Sequence, residues 1–284
     1  MRFDLRSLGG SEKPVTSRLM RSALHAVILV FVLAPLSGCT VARVAKAWTQ
    51  SKAGFSPCTA DPRILCEPGS EALAQKILPL LPAAIESIER AQYAPFAKPI
   101  HIYTYATTRS YANHSGGVEY SAGSASLTTI HLSPKLLQTP ERTPAILIHE
   151  LSHLHLQQQI GTLAWARIPS WFHEGLATLV SNGGGAETVT AQEAREAFAH
   201  GQHFVPEESQ WAMFPKSAAS YDLRPHMYYR QAALFVGYLR ESDPEAFRQM
   251  LHAIATKVAF AQAVQSSYGK PLQALWQAFL AKRS

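Results

Sequence analysis

The segment that most restricts the fold of this chain is TPAILIHELSHLHLQQQ, residues 143–159, which carries His149-Glu150-Leu151-Ser152-His153. Thr143 is a favourable helix N-cap. Pro144 suits the first helical position, where its missing N–H costs nothing, and Gly161 marks the stop. On a helix, residues four apart lie one turn apart on the same face. His149 and His153 therefore aim a ring nitrogen each at a single ion. Glu150 sits about 100° round from His149. There it reaches a water bound to such an ion but is poorly placed as a third ligand. With twelve histidines in the chain, an ordinary buried helix can carry this pattern by chance, so the rest of the sequence has to decide.

A catalytic zinc needs a third protein ligand and an open fourth position. The stretch WFHEGLATLV offers Glu174, 21 residues after His153. The spacing predicts a helix over PSWFHEGLATLVSNGGG, capped by Ser170 and ended by the glycines after Asn182. A turn through Gly161 and Pro169 folds it back beside the first helix. The pair HELSH and WFHEGLA resembles the gluzincin metallopeptidases, thermolysin-like in the broad sense. Its wording is closer to the Trp-x-x-Glu-Gly-x-Ala form of the peptidase MA-like group.

The resemblance covers roughly residues 98–281. It implies that His149, His153 and Glu174 hold one Zn2+ per chain, that Glu150 is the general base, and that the substrate is a protein or peptide. It favours a tyrosine just before the predicted QAALFVGYL helix as the oxyanion donor: Tyr229 first, then Tyr228 or His226. Capping and packing of that helix suit the same aromatics equally well.

The metzincin pattern fits less well, because Leu156 and Gln159 stand where that family has Gly and His. Thr178 stands four residues after Glu174, where thermolysin has an Asp supporting a zinc histidine, so that support must come from elsewhere or be weaker. Among the other histidines, His155 is about 200° round the helix from His153 and faces away. His173 adjoins Glu174 and is the alternative ligand. His131 lies on a predicted strand as surface or cleft lining.

The N-terminus reads as an export signal. Residues 23–36, ALHAVILVFVLAPL, form an apolar run after Arg18 and Arg21. It is shorter than the roughly 20 residues of a spanning helix and fits a secretory h-region. LSGC follows and resembles a bacterial lipobox, which makes Cys39 the lipidated first residue. A start at Met20 would give a more compact signal than one at Met1. Thr40, rather than an Asp, after Cys39 favours the outer membrane facing the periplasm. Five basic and two acidic residues precede Cys39, which accounts for three of the six surplus positive charges. The remainder is no nucleic-acid footprint. Cys58 and Cys66 are then an even pair in an oxidising compartment, and a local disulfide is expected.

The expected organisation is a signal peptide at 1–38, a lipidated tether and disulfide loop at 39–69, and a metallopeptidase domain at 70–284. With 47% hydrophobic and 16% charged residues, the chain has ample core. Helical spacing over 70–93 is divided by Pro79 and Pro82. KPIHIYTYAT (98–107) and LTTIHLSP (127–134) read as strands, the second as an edge that adds a substrate strand. NHSGGVEYSAGSAS (113–126) reads as a small-residue loop that closes over the cleft. Helices are expected near 191–199, 226–241, 244–256 and 271–281. The fold class is α+β: a small N-terminal sheet, then a mainly helical zincin-like lobe holding the motif helix. A non-catalytic envelope scaffold, and hydrolysis of a non-peptide amide as in peptidoglycan, are the competing functions.

Overall fold

The computed structural model describes residues 43, 45–126, 128–210 and 215–282. The predicted export signal and lipidated Cys39 lie outside them. Five short strands form one sheet in the order β1 (Ser56–Pro57), β2 (Ile64–Cys66), β3 (His101–Thr104), β5 (Thr129–Leu132), β4 (Gly123–Ser126). β2, β3 and β5 run parallel, and β1 and β4 pair antiparallel at the two edges. Parallel neighbours need crossover connections. Helices α1 (Glu71–Ile77) and α2 (Leu81–Ala91) join β2 to β3, and α3 (Thr108–Ser115) lies between β3 and the β4–β5 pair.

From Thr143 onward the described chain is helical: α4 (Thr143–Ile160), α5 (Thr162–Trp165), α6 (Ser170–Val180), α7 (Ala191–Ala199), α8 (Pro225–Ser242), α9 (Pro244–Ala255), α10 (Phe260–Tyr268) and α11 (Leu272–Ala281). This is the expected α+β class. Cys58 and Cys66 are disulfide-bonded, with Cα atoms 5.8 Å apart. Their loop is part of the sheet: Cys58 follows β1, Cys66 ends β2, and Phe55 packs edge-on against Tyr103 and Tyr105.

Several local expectations need correction. The segment 113–126 is not one loop. It holds the end of α3 and the edge strand β4. The edge beside the active-site helix is therefore β4, and β5 is interior. Helices α3, α5 and α10 lie outside the expected set. Thr143 does not cap α4, because the 3-10 turn Pro140–Arg142 runs straight into the helix. Ser170 is the first residue of α6, and its Oγ bonds the Lys216 carbonyl and the Tyr228 hydroxyl instead.

The motif helix α4 lies between two cores, with 14 of its 18 residues buried; it is a central element and not an amphipathic surface helix. On one side Ile146, Leu147, Leu151 and Leu154 join the aliphatic core of Ile64, Leu73, Ile102 and Ile130 beneath the sheet. On the other, Leu156 and Ile160 join an aromatic core built on Trp171, Phe172, Phe235 and Trp276. Fully burying such a side chain contributes about 1.5–3 kcal/mol, so α4 is fixed from both sides. At Gly175 an added Cβ would lie 2.7 Å from the Ala232 carbonyl oxygen. The missing side chain lets α8 close on α6, which brings Tyr229 to the same cleft as Glu174.

Candidate active site

A helix this buried, with eight buried polar side chains, has to find partners for most of their polar atoms. Ser152 Oγ accepts from Gln92 Nε2 at 2.7 Å. His155 lies 2.8 Å from both Gln92 Oε1 and the Ala94 carbonyl. Gln158 Oε1 accepts from Lys98 N at 2.8 Å. The residues not absorbed this way include His149, Glu150 and His153, and they converge on one cleft of about 480 Å³.

In that cleft His149 Nε2 and His153 Nε2 are 3.0 Å apart. Glu174 Oε2, brought by α6, is 3.4 Å from the first and 3.5 Å from the second. Among the described residues, these three are the group whose ligand atoms gather closely enough for one metal ion. Glu174 Oε2 and His153 Nδ1 are buried without an aligned hydrogen-bond partner there. An orphaned carboxylate oxygen facing two imidazole nitrogens fits a cation, which would satisfy all three at once.

The charges agree with this arrangement. Burial alone would push the Glu174 carboxyl up, but His153, His149 and His173 outweigh it and hold it well below the usual range, so it stays ionised. Burial pushes the His149 imidazole down, and Glu174, Glu150 and the Gly184 carbonyl reverse that, for a net rise. Burial raises Glu150 above the ordinary carboxylate range against the pull of the two histidines. The edge strand holds this carboxylate. The Ala125 backbone N–H favours its charged form, and a Cβ on Gly123 would fall 2.9 Å from Glu150 Oε1. Tyr229 lines the same cleft, its ring 6.2 Å from that of His149. The negative Glu174, then burial, holds its phenol protonated and so a donor.

The alternative donors are placed otherwise. The Tyr228 hydroxyl bonds Ser170 Oγ at 2.9 Å, a packing role. His226 Nδ1 accepts from Thr188 N at 3.2 Å on the cleft rim. His173 packs on Trp165 at 4.6 Å, and burial pushes it down to about 3. Its Nδ1 is 3.6 Å from Glu174 Oε1, and it stands outside the three converging atoms.

His131 is a structural residue, not a cleft residue. Tyr105, its phenol held protonated by burial, lies with Oη 2.6 Å from His131 Nδ1. Nδ1 therefore accepts, and Nε2 carries the proton toward Ser126 Oγ and Thr129 Oγ1, each at 3.0 Å. A serine facing a protonated nitrogen has no base, so this Ser–His–Tyr row is not a nucleophile relay.

Sequence reasoning missed what orients His149. Its Nδ1 donates to the Gly184 carbonyl at 2.9 Å, which leaves the Nε2 lone pair turned to Glu174 and His153. Thr178 Oγ1 has no hydrogen-bond partner among the described residues, so the support for this histidine comes from the backbone instead. The only sequence signal was the glycine run 183–185, read simply as a helix stop.

The sheet, the helical lobe and the HExxH helix with its returning glutamate define a zincin-like, peptidase-type fold. A family model described as Peptidase MA superfamily matches residues 83–282, and the chain belongs to that superfamily. No curated protein matches the chain.

Proposed function

We propose that this protein is a zinc-dependent metallopeptidase of the bacterial cell envelope. His149, His153 and Glu174 would hold the zinc, and the observation that carries the reading is the orphaned Glu174 Oε2 facing both Nε2 atoms. Zinc, when bound, supplies a Lewis acid that polarises a carbonyl and lowers the pKa of a water from 15.7 to roughly 7. Glu150 takes a proton from the attacking water and returns it to the leaving amine. Its raised pKa suits both halves of that exchange. Tyr229 O–H donates to the oxyanion that develops at the scissile carbonyl. The free edge of β4 pairs with an extended peptide backbone, which selects for peptides and says little about their sequence.

The lipobox-like LSGC and the Cys58–Cys66 disulfide support export and anchoring through Cys39 on the periplasmic face of the outer membrane. Among the described residues, no helix is long and apolar enough to cross a membrane. Digestion of a mixture of unfolded proteins tests the activity. Cleavage by the zinc-loaded protein is expected, abolished by chelation and by Glu150→Gln. Equal cleavage by the Glu150→Gln form would sink the assignment.

A further inference from the structure

The loop after α6, Asn182–Thr190, carries the carbonyl that orients His149, and its shape depends on three glycines. α6 ends with Asn182 in the left-handed region (φ 53°), Asn182 N–H on Leu179 O and Gly183 N–H on Thr178 O. This is a Schellman closure, which redirects the chain sharply. Gly184 then passes so close to α4 that a Cβ would lie 2.6 Å from the Ala145 carbonyl oxygen. Gly185, at φ +82°, lies against the His149 ring, where a Cβ would fall 2.9 Å from Cε1. A glycine-rich loop has high conformational freedom, so a carbonyl on it orients a ligand only if something holds the loop.

Arg142 on Glu187 and His226 on Thr188 tie the loop at two points, and Arg230 is the group that grips its backbone carbonyls. It follows Tyr229 on α8. Its Nε donates to the Val189 carbonyl at 2.9 Å and its Nη2 to the Ala186 carbonyl at 3.2 Å. The guanidinium packs against Gly183, where a Cβ would fall 2.6 Å from Nη2. A planar, permanently charged fork suits two backbone carbonyls in a way a point-charge ammonium does not.

We propose that Arg230 is a positioning residue of the metal site. By clamping the 183–189 loop it holds the Gly184 carbonyl on His149 Nδ1. One turn of α8 thus serves the site twice, with Tyr229 turned to the cleft and Arg230 to the loop. The proposal rests on the metal reading above, and its test separates the two.

The test is Co2+ binding to the full-length protein in detergent, followed by affinity and by the visible ligand-field spectrum at saturation. Arg230→Met keeps the aliphatic stem and removes both donors. It should weaken Co2+ binding by about 10–100-fold, as loss of a ligand-orienting partner does, and alter the band shape. Gly185→Ala, which pushes on the His149 ring directly, should reproduce the altered spectrum. Arg230→Lys should recover part of the affinity. Phe235→Leu, a packing change on the same helix, should lower the melting temperature and leave affinity and spectrum unchanged. Wild-type affinity and spectrum in Arg230→Met would overturn the clamp while the metal reading stands. Affinity lost equally in Phe235→Leu would reduce Arg230 to general stability. Failure of the wild-type protein to bind Co2+ would remove both.

Discussion

Two groups of histidine nitrogens hang from the same helix, two residues apart, in opposite states. His155 has both nitrogens against protein oxygens, Gln92 Oε1 and the Ala94 carbonyl, each at 2.8 Å, and its ring meets the edge of Phe96 at 5.0 Å. Gln92 in turn bonds Ser152. The cluster is closed, and it ties α4 to the end of α2. On the other face, His149 and His153 turn Nε2 atoms toward each other and toward a carboxylate oxygen with no aligned donor. Buried polar groups with partners stabilise a fold, and those left open cost stability unless a ligand satisfies them. The difference separates the structural face of the helix from its chemical face without reference to the motif.

The strongest way to sharpen this contrast is Glu150→Gln. The peptidase rate should fall by about 10²–10⁴-fold with metal content unchanged, since Glu150 is not among the converging ligands. The same change should stabilise the metal-free protein at neutral pH. Glu150's folded pKa is raised by burial. The folded state therefore holds its proton longer than the unfolded chain, and stability falls as pH rises between the two values. A denaturant midpoint below wild type at pH 7 would contradict this.

On the closed face, His155→Ala removes the imidazole that lies between the Gln92 amide and the Ala94 carbonyl. It should cost about 1–3 kcal/mol in urea unfolding, with no loss of metal; metal loss would break the distinction between the faces. His131 gives a pH test of the same logic. Burial pushes it down to about 3, so the folded state keeps it neutral while the unfolded chain protonates near 6.5. Its contribution is complete above that value and is lost as pH falls from there toward about 3. His131→Gln should flatten this acid limb, and a thermal-melt series across that range reads it. The smallest effect belongs to Arg142→Ala. It removes a partly exposed ion pair with Glu187 at 3.1 Å and should cost no more than about 1 kcal/mol.

The parts of the site legible in sequence are those whose geometry is local. Helical spacing puts His149 and His153 on one face, and the Trp-x-x-Glu frame selects Glu174 over His173. The parts that were not legible belong to the backbone or to weak patterns. The Gly184 carbonyl has no side-chain signature. β4 is Gly-Ser-Ala-Ser, a composition with poor strand preference. It is a strand because β5 offers it a ladder and because Gly123 leaves room for Glu150. The same absence of side chains that made 113–126 read as a loop brings the strand up to the carboxylate. Helix α10, FAQAVQSSY, is nine residues long with only three buried, too short for periodicity to separate it from a turn.

The most direct test of the account is the metal content of the protein, purified without added metal or a metal-binding tag, beside its Glu174→Ala form. The account predicts close to one zinc per wild-type chain and a sharp loss in the variant. No zinc in the wild-type protein, even after equilibration with the metal, or equal zinc in both forms, would contradict it.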